Sequence, residues 1–157
     1  MKSATLSEIK RALVEAGEPR LVEIALRLAK HKVENKELLT YLLFEEEDEQ
    51  GYVNSARQDI EDAFTAVVNT NLYYYKKSVR KILRMVNRYS KFSANPQTEL
   101  ELRLHFCQCL RNRGVDFRKS PVIQNLFEQQ VKKVDRLMDA LPEDLRLDFQ
   151  SARTQIR

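Results

Sequence analysis

The sequence predicts an all-α fold of seven or eight antiparallel helices. Glycine and proline are scarce, at 3 and 4 of 157 residues, while residues with high helix propensity are abundant. Apolar residues recur at spacings of three and four along most of the chain, and no segment alternates as a strand would. These observations favour either a helical bundle or a short array of helical hairpins of the HEAT or armadillo kind. The length fits a single helical domain, residues 1–157.

The first two helices are marked by their termini. Thr5 and Glu8 form a predicted capping box for a helix over about 5–16, which Gly17 ends. Pro19 is then expected at the first position of a second helix that extends to about His31. Both predictions rest on local backbone chemistry.

The middle of the chain contains two further helices and one ambiguous segment. Asn35 is the predicted N-cap of a third helix, which ends before Gly51 with the acidic residues 45–49 at its C-terminus. Residues 53–92 contain no glycine or proline and could form one helix. We expect a break at residues 69–71, because three poor helix formers follow one another there.

The last three helices each begin at a proline. Asn95 and the proline after it predict a helix that runs to Gly114. Ser120 and the proline after it predict the start of another helix in the same way. Pro142 is expected to begin the last helix. Loops this short make consecutive helices antiparallel.

Charge is distributed unevenly along the chain. Residues 1–62 carry 9 basic and 14 acidic side chains, whereas residues 63–98 carry 7 basic and no acidic ones. Residues 99–157 carry 11 basic and 9 acidic side chains. The modest net charge of +4 is therefore the sum over an acidic first part and a strongly basic central segment. This concentration of basic side chains falls in the predicted helix over about 72–92 and is the most distinctive feature of the sequence.

On a helical wheel, the seven cations of this segment lie within an arc of about 140°, and the apolar residues lie on the opposite side. Tyr75 falls in the apolar stripe, Tyr74 at the boundary and Tyr73 among the cations. An exposed ring beside cations could stack on a base while the cations meet phosphates. We call this candidate binding face the basic face; it consists of Tyr73, Lys76, Lys77, Arg80, Lys81, Arg84, Arg88 and Lys91.

Two other interpretations of the basic face remain open. The cations could simply be the solvated side of an amphipathic helix. Alternatively, they could pair with the acidic residues 45–49, either within the molecule or in a second copy. Five acids at a helix C-terminus would oppose the macrodipole, so a cationic neighbour would stabilise them.

No cofactor, metal or catalytic site is predicted. In the stretch from His105 to Cys109, only Cys109 shares a helical face with the histidine, and Cys107 is interpreted as a small core residue. His31, the other histidine, does not complete a tetrahedral site. The chain lacks a glycine-rich phosphate loop, a nucleophile elbow and a metalloprotease helix, so we do not expect an enzyme or a small-molecule substrate.

A cytoplasmic location without membrane contact is expected. The longest apolar runs are about a third of the roughly 20 residues that span a bilayer. Charged residues interrupt the N-terminus where a signal peptide would need an apolar core. Two cysteines so close together do not form a disulfide framework and fit a reducing compartment.

The stretch YYYKKSVRKILRMVNRYSKFSANPQTELELRLHFCQCLRNRGVDF resembles the middle of a family of small bacterial all-helical proteins of unknown function. Members of that family place a tyrosine-containing basic segment before a helix, followed by an Asn/Pro cap, a leucine-rich helix and an ending similar to Gly114, Val115 and Phe117. The likeness extends over about two thirds of the chain. It implies a bacterial cytosolic helical domain and assigns no activity.

These observations predict a non-enzymatic helical interaction domain. A protein partner, or self-association, is the leading expectation because the core and surface are well patterned and no catalytic chemistry is evident. Nucleic-acid binding through the basic face is the alternative.

Overall fold

The computed structural model describes residues 2–67, 71–113 and 120–156. Within those ranges the chain forms eight α-helices and one short π-helix, and no strand, which confirms the all-α prediction. The contacts divide the chain into two compact units, residues 1–44 and residues 45–157. The helices are α1 Leu6–Glu15, α2 Glu18–His31, α3 Val33–Thr40, α4 Glu49–Thr65, α5 Leu72–Ser93, α6 Pro96–Asn112, α7 Pro121–Ala140 and α8 Glu143–Gln155.

The termini of α1 match the sequence prediction. The backbone N–H of Thr5 donates to Glu8 Oε2 at 2.8 Å, and the N–H of Glu8 donates back to Thr5 Oγ1 at 3.3 Å, so the capping box is present. Gly17 follows the helix with a φ of 72°, a conformation that a glycine adopts without a Cβ clash. α2 then begins at Glu18, one residue before the proline that was expected to open it.

The predicted N-cap of the third helix is wrong. α3 begins at Val33, so Asn35 lies inside its first turn instead of before it. The Asn35 side-chain amide instead donates to the backbone carbonyl of Leu28 at 2.8 Å and closes the turn between α2 and α3. α3 passes into the π-helix Tyr41–Glu45, which the sequence did not indicate.

The acidic run is also placed differently from the prediction. Residues 45–49 were expected to form the C-terminus of the third helix, which was to end before Gly51. Instead, Glu49 is the first residue of α4, and Gly51 lies within that helix. The N-cap Asp48 accepts a hydrogen bond from Gly51 N at 2.9 Å. A Cβ at residue 51 would lie 2.2 Å from Asp48 Oδ2, so glycine is what allows this close cap. Two of the five acids therefore lie at a helix N-terminus, where the macrodipole stabilises negative charge.

The unit of residues 45–157 has a continuous apolar core in which α6 packs against α4, α5, α7 and α8. Leu100, Leu102, Phe106, Cys107 and Leu110 of α6 are all inaccessible to solvent. The buried position of Cys107 confirms its interpretation as a core residue. α6 is therefore the central helix of this unit.

The expected division of residues 53–92 into two helices is confirmed, and of the residues 69–71 predicted to break them only Asn71 is described. α4 ends at Thr65 and α5 begins at Leu72, so residues 53–92 form two helices and not one. Asn71 caps the second by accepting a hydrogen bond from Tyr73 N at 2.8 Å. Residues 68–70 lie outside the described part of the chain.

The asparagine and serine caps of α6 and α7 are present as predicted. Asn95 Oδ1 accepts from Gln97 N at 2.9 Å, and Ser120 Oγ accepts from Ile123 N at 3.4 Å. Pro142 caps α8 instead of being its first residue. The position predicted for the end of α6, Gly114, lies outside the described residues. Among the helices described, none combines the length and the apolar character that crossing a bilayer requires.

Candidate functional site

The two faces predicted for the basic helix are separated in the structure. The side of α5 that packs into the core carries Tyr75, Val79, Ile82, Val86 and Ser90. The cations lie on the opposite side, where five are exposed and two are half-buried. The exposed cations are Lys77, Arg80, Lys81, Arg84 and Lys91, and the half-buried ones are Lys76 and Arg88.

The three consecutive tyrosines have different environments. Tyr75 is 1% exposed and belongs to the core, as expected. Tyr73 is 68% exposed beside the cations, also as expected, but Tyr74 is 61% exposed and does not lie at a core boundary. The two exposed rings meet edge to face, with centroids 5.4 Å apart. The structure thus presents two surface aromatics where the sequence predicted one.

One acid of the run, Glu49, is bound at the end of α5 that lies farthest from the tyrosines. Glu49 accepts hydrogen bonds from the hydroxyls of Ser93 and Thr98, where α5 ends and α6 begins. Arg80 and Arg84, in the middle of the basic face, form no hydrogen bond or ion pair with any other described residue. These guanidinium groups are therefore available to a ligand.

A second candidate surface lies in residues 1–44 and was not predicted from the sequence. α1 and α2 are strongly amphipathic, yet none of their side chains is fully buried. Tyr41 is the one buried residue among those described in this unit. We call the exposed large apolar residues of this unit the N-terminal apolar surface; they are Leu6, Ile9, Val14, Leu21, Val22, Leu26, Leu28, Val33, Leu42, Leu43 and Phe44.

A third cluster joins α4 to α6. His105 Nε2 lies 3.2 Å from Glu61 Oε1, and Cys109 Sγ lies 3.6 Å from the same nitrogen. The sequence placed the histidine and Cys109 on one helical face but gave no sign of the carboxylate, which comes from a helix 44 residues earlier. Sequence reasoning missed it because only tertiary packing brings the two helices together.

Burial determines the protonation of this cluster. It lowers the pKa of His105, with a smaller contribution in the same direction from the Arg57 charge, so the imidazole is neutral near pH 7. Burial also raises the pKa of the Cys109 thiol to about 11 and that of Cys107 to about 12. Both thiols are therefore protonated at neutral pH and are poor nucleophiles.

Comparison of the chain with protein-family models, with curated proteins and with solved structures gives no match.

Proposed function

We propose that this protein is a non-enzymatic helical domain that binds protein, and that it does so through the N-terminal apolar surface. The observation that carries this proposal is that α1 and α2 are amphipathic and that none of their side chains is fully buried. Helices in folded proteins owe most of their stability to burial of an apolar face. A pair of such faces in contact with water therefore needs another surface to cover it.

The size of the surface supports the same proposal. Monomeric proteins rarely expose apolar patches larger than a few hundred Å². Here eleven large apolar side chains are exposed by between 38% and 84% within 44 residues. So many exposed apolar side chains in so short a segment favour an interaction surface over chance exposure.

The partner that fits this surface best is a second copy of the chain. Residues 1–44 carry 8 basic and 6 acidic side chains, so neither sign dominates around the apolar residues and two copies do not repel each other strongly. Two-fold homodimers are the commonest soluble oligomers, and they pair the same patch on both subunits. The proposal therefore pairs the N-terminal apolar surface with itself.

Leu26→Glu is expected to weaken this self-association. A carboxylate left unpaired in an apolar interface costs about 3 kcal/mol or more, which raises the dissociation constant by roughly a hundredfold. Sedimentation equilibrium or light scattering over a range of protein concentrations measures this shift. Leu147→Glu on α8 is the matched control, because Leu147 is 68% exposed but lies outside the surface.

Two results would count against self-association. One is a wild-type chain that stays monomeric into the millimolar range. The other is a dimer that Leu147→Glu weakens as much as Leu26→Glu does. The salt dependence of the dissociation constant distinguishes an apolar interface from an electrostatic one. Burial of apolar surface persists as ionic strength rises, whereas contacts between charges are screened.

Nucleic-acid binding through the basic face is the second candidate function. Its support is the pair of exposed rings, Tyr73 and Tyr74, at the start of a helix face that carries seven cations and no acid. Rings that stack on bases and cations that meet phosphates are the combination used by sites for single-stranded nucleic acid.

If four or five phosphates are contacted, the affinity for a single-stranded oligonucleotide is expected to fall with salt at a log–log slope of about −3. Arg80→Glu together with Arg84→Glu should abolish most of the binding measured by fluorescence anisotropy. Lys132→Glu together with Arg136→Glu is the matched control, since both are exposed cations one turn apart on α7. Binding that is insensitive to salt, or that the control pair reduces equally, argues against this function.

A further inference from the structure

The cluster of Glu61, His105 and Cys109 combines the three ligand types that zinc-like ions prefer. A carboxylate oxygen, an imidazole nitrogen and a sulfur converge, and all three ligand atoms lie within 4.8 Å of one another. They belong to α4 and α6, two helices that pack together in the core unit.

The two distances from the histidine nitrogen are close to those of a tetrahedral metal site. With bonds of about 2.1 Å to nitrogen and oxygen and about 2.3 Å to sulfur, tetrahedral angles place the nitrogen about 3.6 Å from the sulfur and about 3.4 Å from the oxygen. The observed separations from His105 Nε2 are 3.6 Å to Cys109 Sγ and 3.2 Å to Glu61 Oε1. The sulfur and the carboxylate oxygen lie within 4.8 Å of each other, so an ion between them would draw these two side chains together.

His105 presents the same ring nitrogen to both other ligands. Its Nε2 lies near both the Glu61 carboxylate and the Cys109 sulfur, so one orientation of the imidazole serves the whole cluster. Histidine that binds a metal through one ring nitrogen is a common ligand in such sites.

Charge and access also bear on the site. The carboxylate and a thiolate together match the charge of a divalent ion, and the thiol releases its proton to solvent as the metal–sulfur bond forms. Burial and the Glu61 carboxylate raise the pKa of the Cys109 thiol, and the charges of Arg113 and Arg57 offset this only in part, so the ion itself must displace the proton. The His105 side chain is 8% exposed and that of Glu61 is 52% exposed, so water reaches one side of the cluster.

We propose that Glu61, His105 and Cys109 form a binding site for a borderline-soft divalent ion of the zinc type, with three protein ligands and a fourth position open to water. This site is separate from both surfaces considered under the proposed function. It requires neither of them to bind a partner.

The test uses Zn²⁺ in competition with a chromophoric chelator and Co²⁺ as a spectroscopic probe. The wild-type chain should bind one ion per chain, and the Co²⁺ form should show a thiolate-to-metal charge-transfer band. Cys109→Ser should remove that band, and Cys109→Ser or Glu61→Gln should each weaken Zn²⁺ binding by more than about tenfold.

Two variants control for indirect effects. Cys107→Ser removes the other thiol of α6 and leaves the three residues of the cluster unchanged. Asp62→Asn removes the charge of the exposed carboxylate next to Glu61. Both should retain the charge-transfer band, and circular dichroism confirms that each variant is folded. The proposal is overturned if the wild-type chain binds no stoichiometric ion, or if Cys109→Ser keeps both the band and the affinity. The three residues then form only a polar contact between Glu61 and His105 and a weak thiol–imidazole contact.

Discussion

Replacing Arg103 with methionine is expected to lower the free energy of unfolding by about 3 kcal/mol. The side chain is 4% exposed, and removing one partner of a buried charged network typically costs 3–5 kcal/mol, because the remaining polar groups lose their bonds without regaining water. Urea denaturation followed by circular dichroism measures the change, with the slope of the transition unchanged.

The contacts of Arg103 explain the size of this effect. Its Nε donates to Glu99 Oε1 at 2.7 Å, one terminal nitrogen donates to Gln130 Oε1 at 2.7 Å, and the other donates to Asn87 Oδ1 at 3.0 Å. One guanidinium thus connects α5, α6 and α7. Gln130 is itself buried and would lose this bond inside the core.

A double variant separates the loss of the network from the loss of packing. Adding Gln130→Leu to Arg103→Met removes the orphaned amide, so part of the stability should return. Arg84→Met, on the exposed side of α5, is the surface control and should change stability by less than about 0.5 kcal/mol. A loss below about 1 kcal/mol for Arg103→Met would show that the network is not a main determinant of stability.

Phe106→Ala is expected to be at least as damaging, at about 3–5 kcal/mol, because it removes a fully buried ring and leaves a cavity. The ring lies on the central helix α6, and its centroid is 5.5 Å from that of Phe64 on α4. The midpoint of chemical denaturation should fall accordingly.

The control for Phe106→Ala is Leu147→Ala on α8, whose side chain is 68% exposed. Because surface truncations usually alter stability by less than about 0.5 kcal/mol, the two variants should differ by several-fold. Similar effects from the two would contradict the assignment of Phe106 to the core. The helix content of each variant at zero denaturant should remain that of the wild type.

The sequence predicted the elements whose signals are local. The capping box at Thr5, the glycine end of α1 and the caps at Asn95 and Ser120 depend on residues within a few positions of one another, so they could be found without a structure. The division of α5 into a buried and a basic side follows from helical periodicity alone. Fold class and the orientation of Tyr73 and Tyr75 were therefore predictable.

Other features depend on contacts that periodicity does not report. Gly51 was interpreted as a helix stop, but a glycine in the first turn is compatible with a helix that Asp48 caps. Arg103 is a cation on α6, the central helix, and no local signal in the sequence shows that it is buried. The pairing of Glu61 with His105 likewise appears only when α4 and α6 pack together.

The near absence of buried residues in the first 44 residues has a consequence for how that part of the chain becomes ordered. Chains of this size seldom bury enough surface to hold themselves together. If the apolar side chains of residues 1–44 are covered only when two copies meet, helix formation in this segment depends on protein concentration through mass action. Diluting the protein would then unwind α1 and α2 while residues 45–157 keep their core, and amide hydrogen exchange would record two regions of unequal protection.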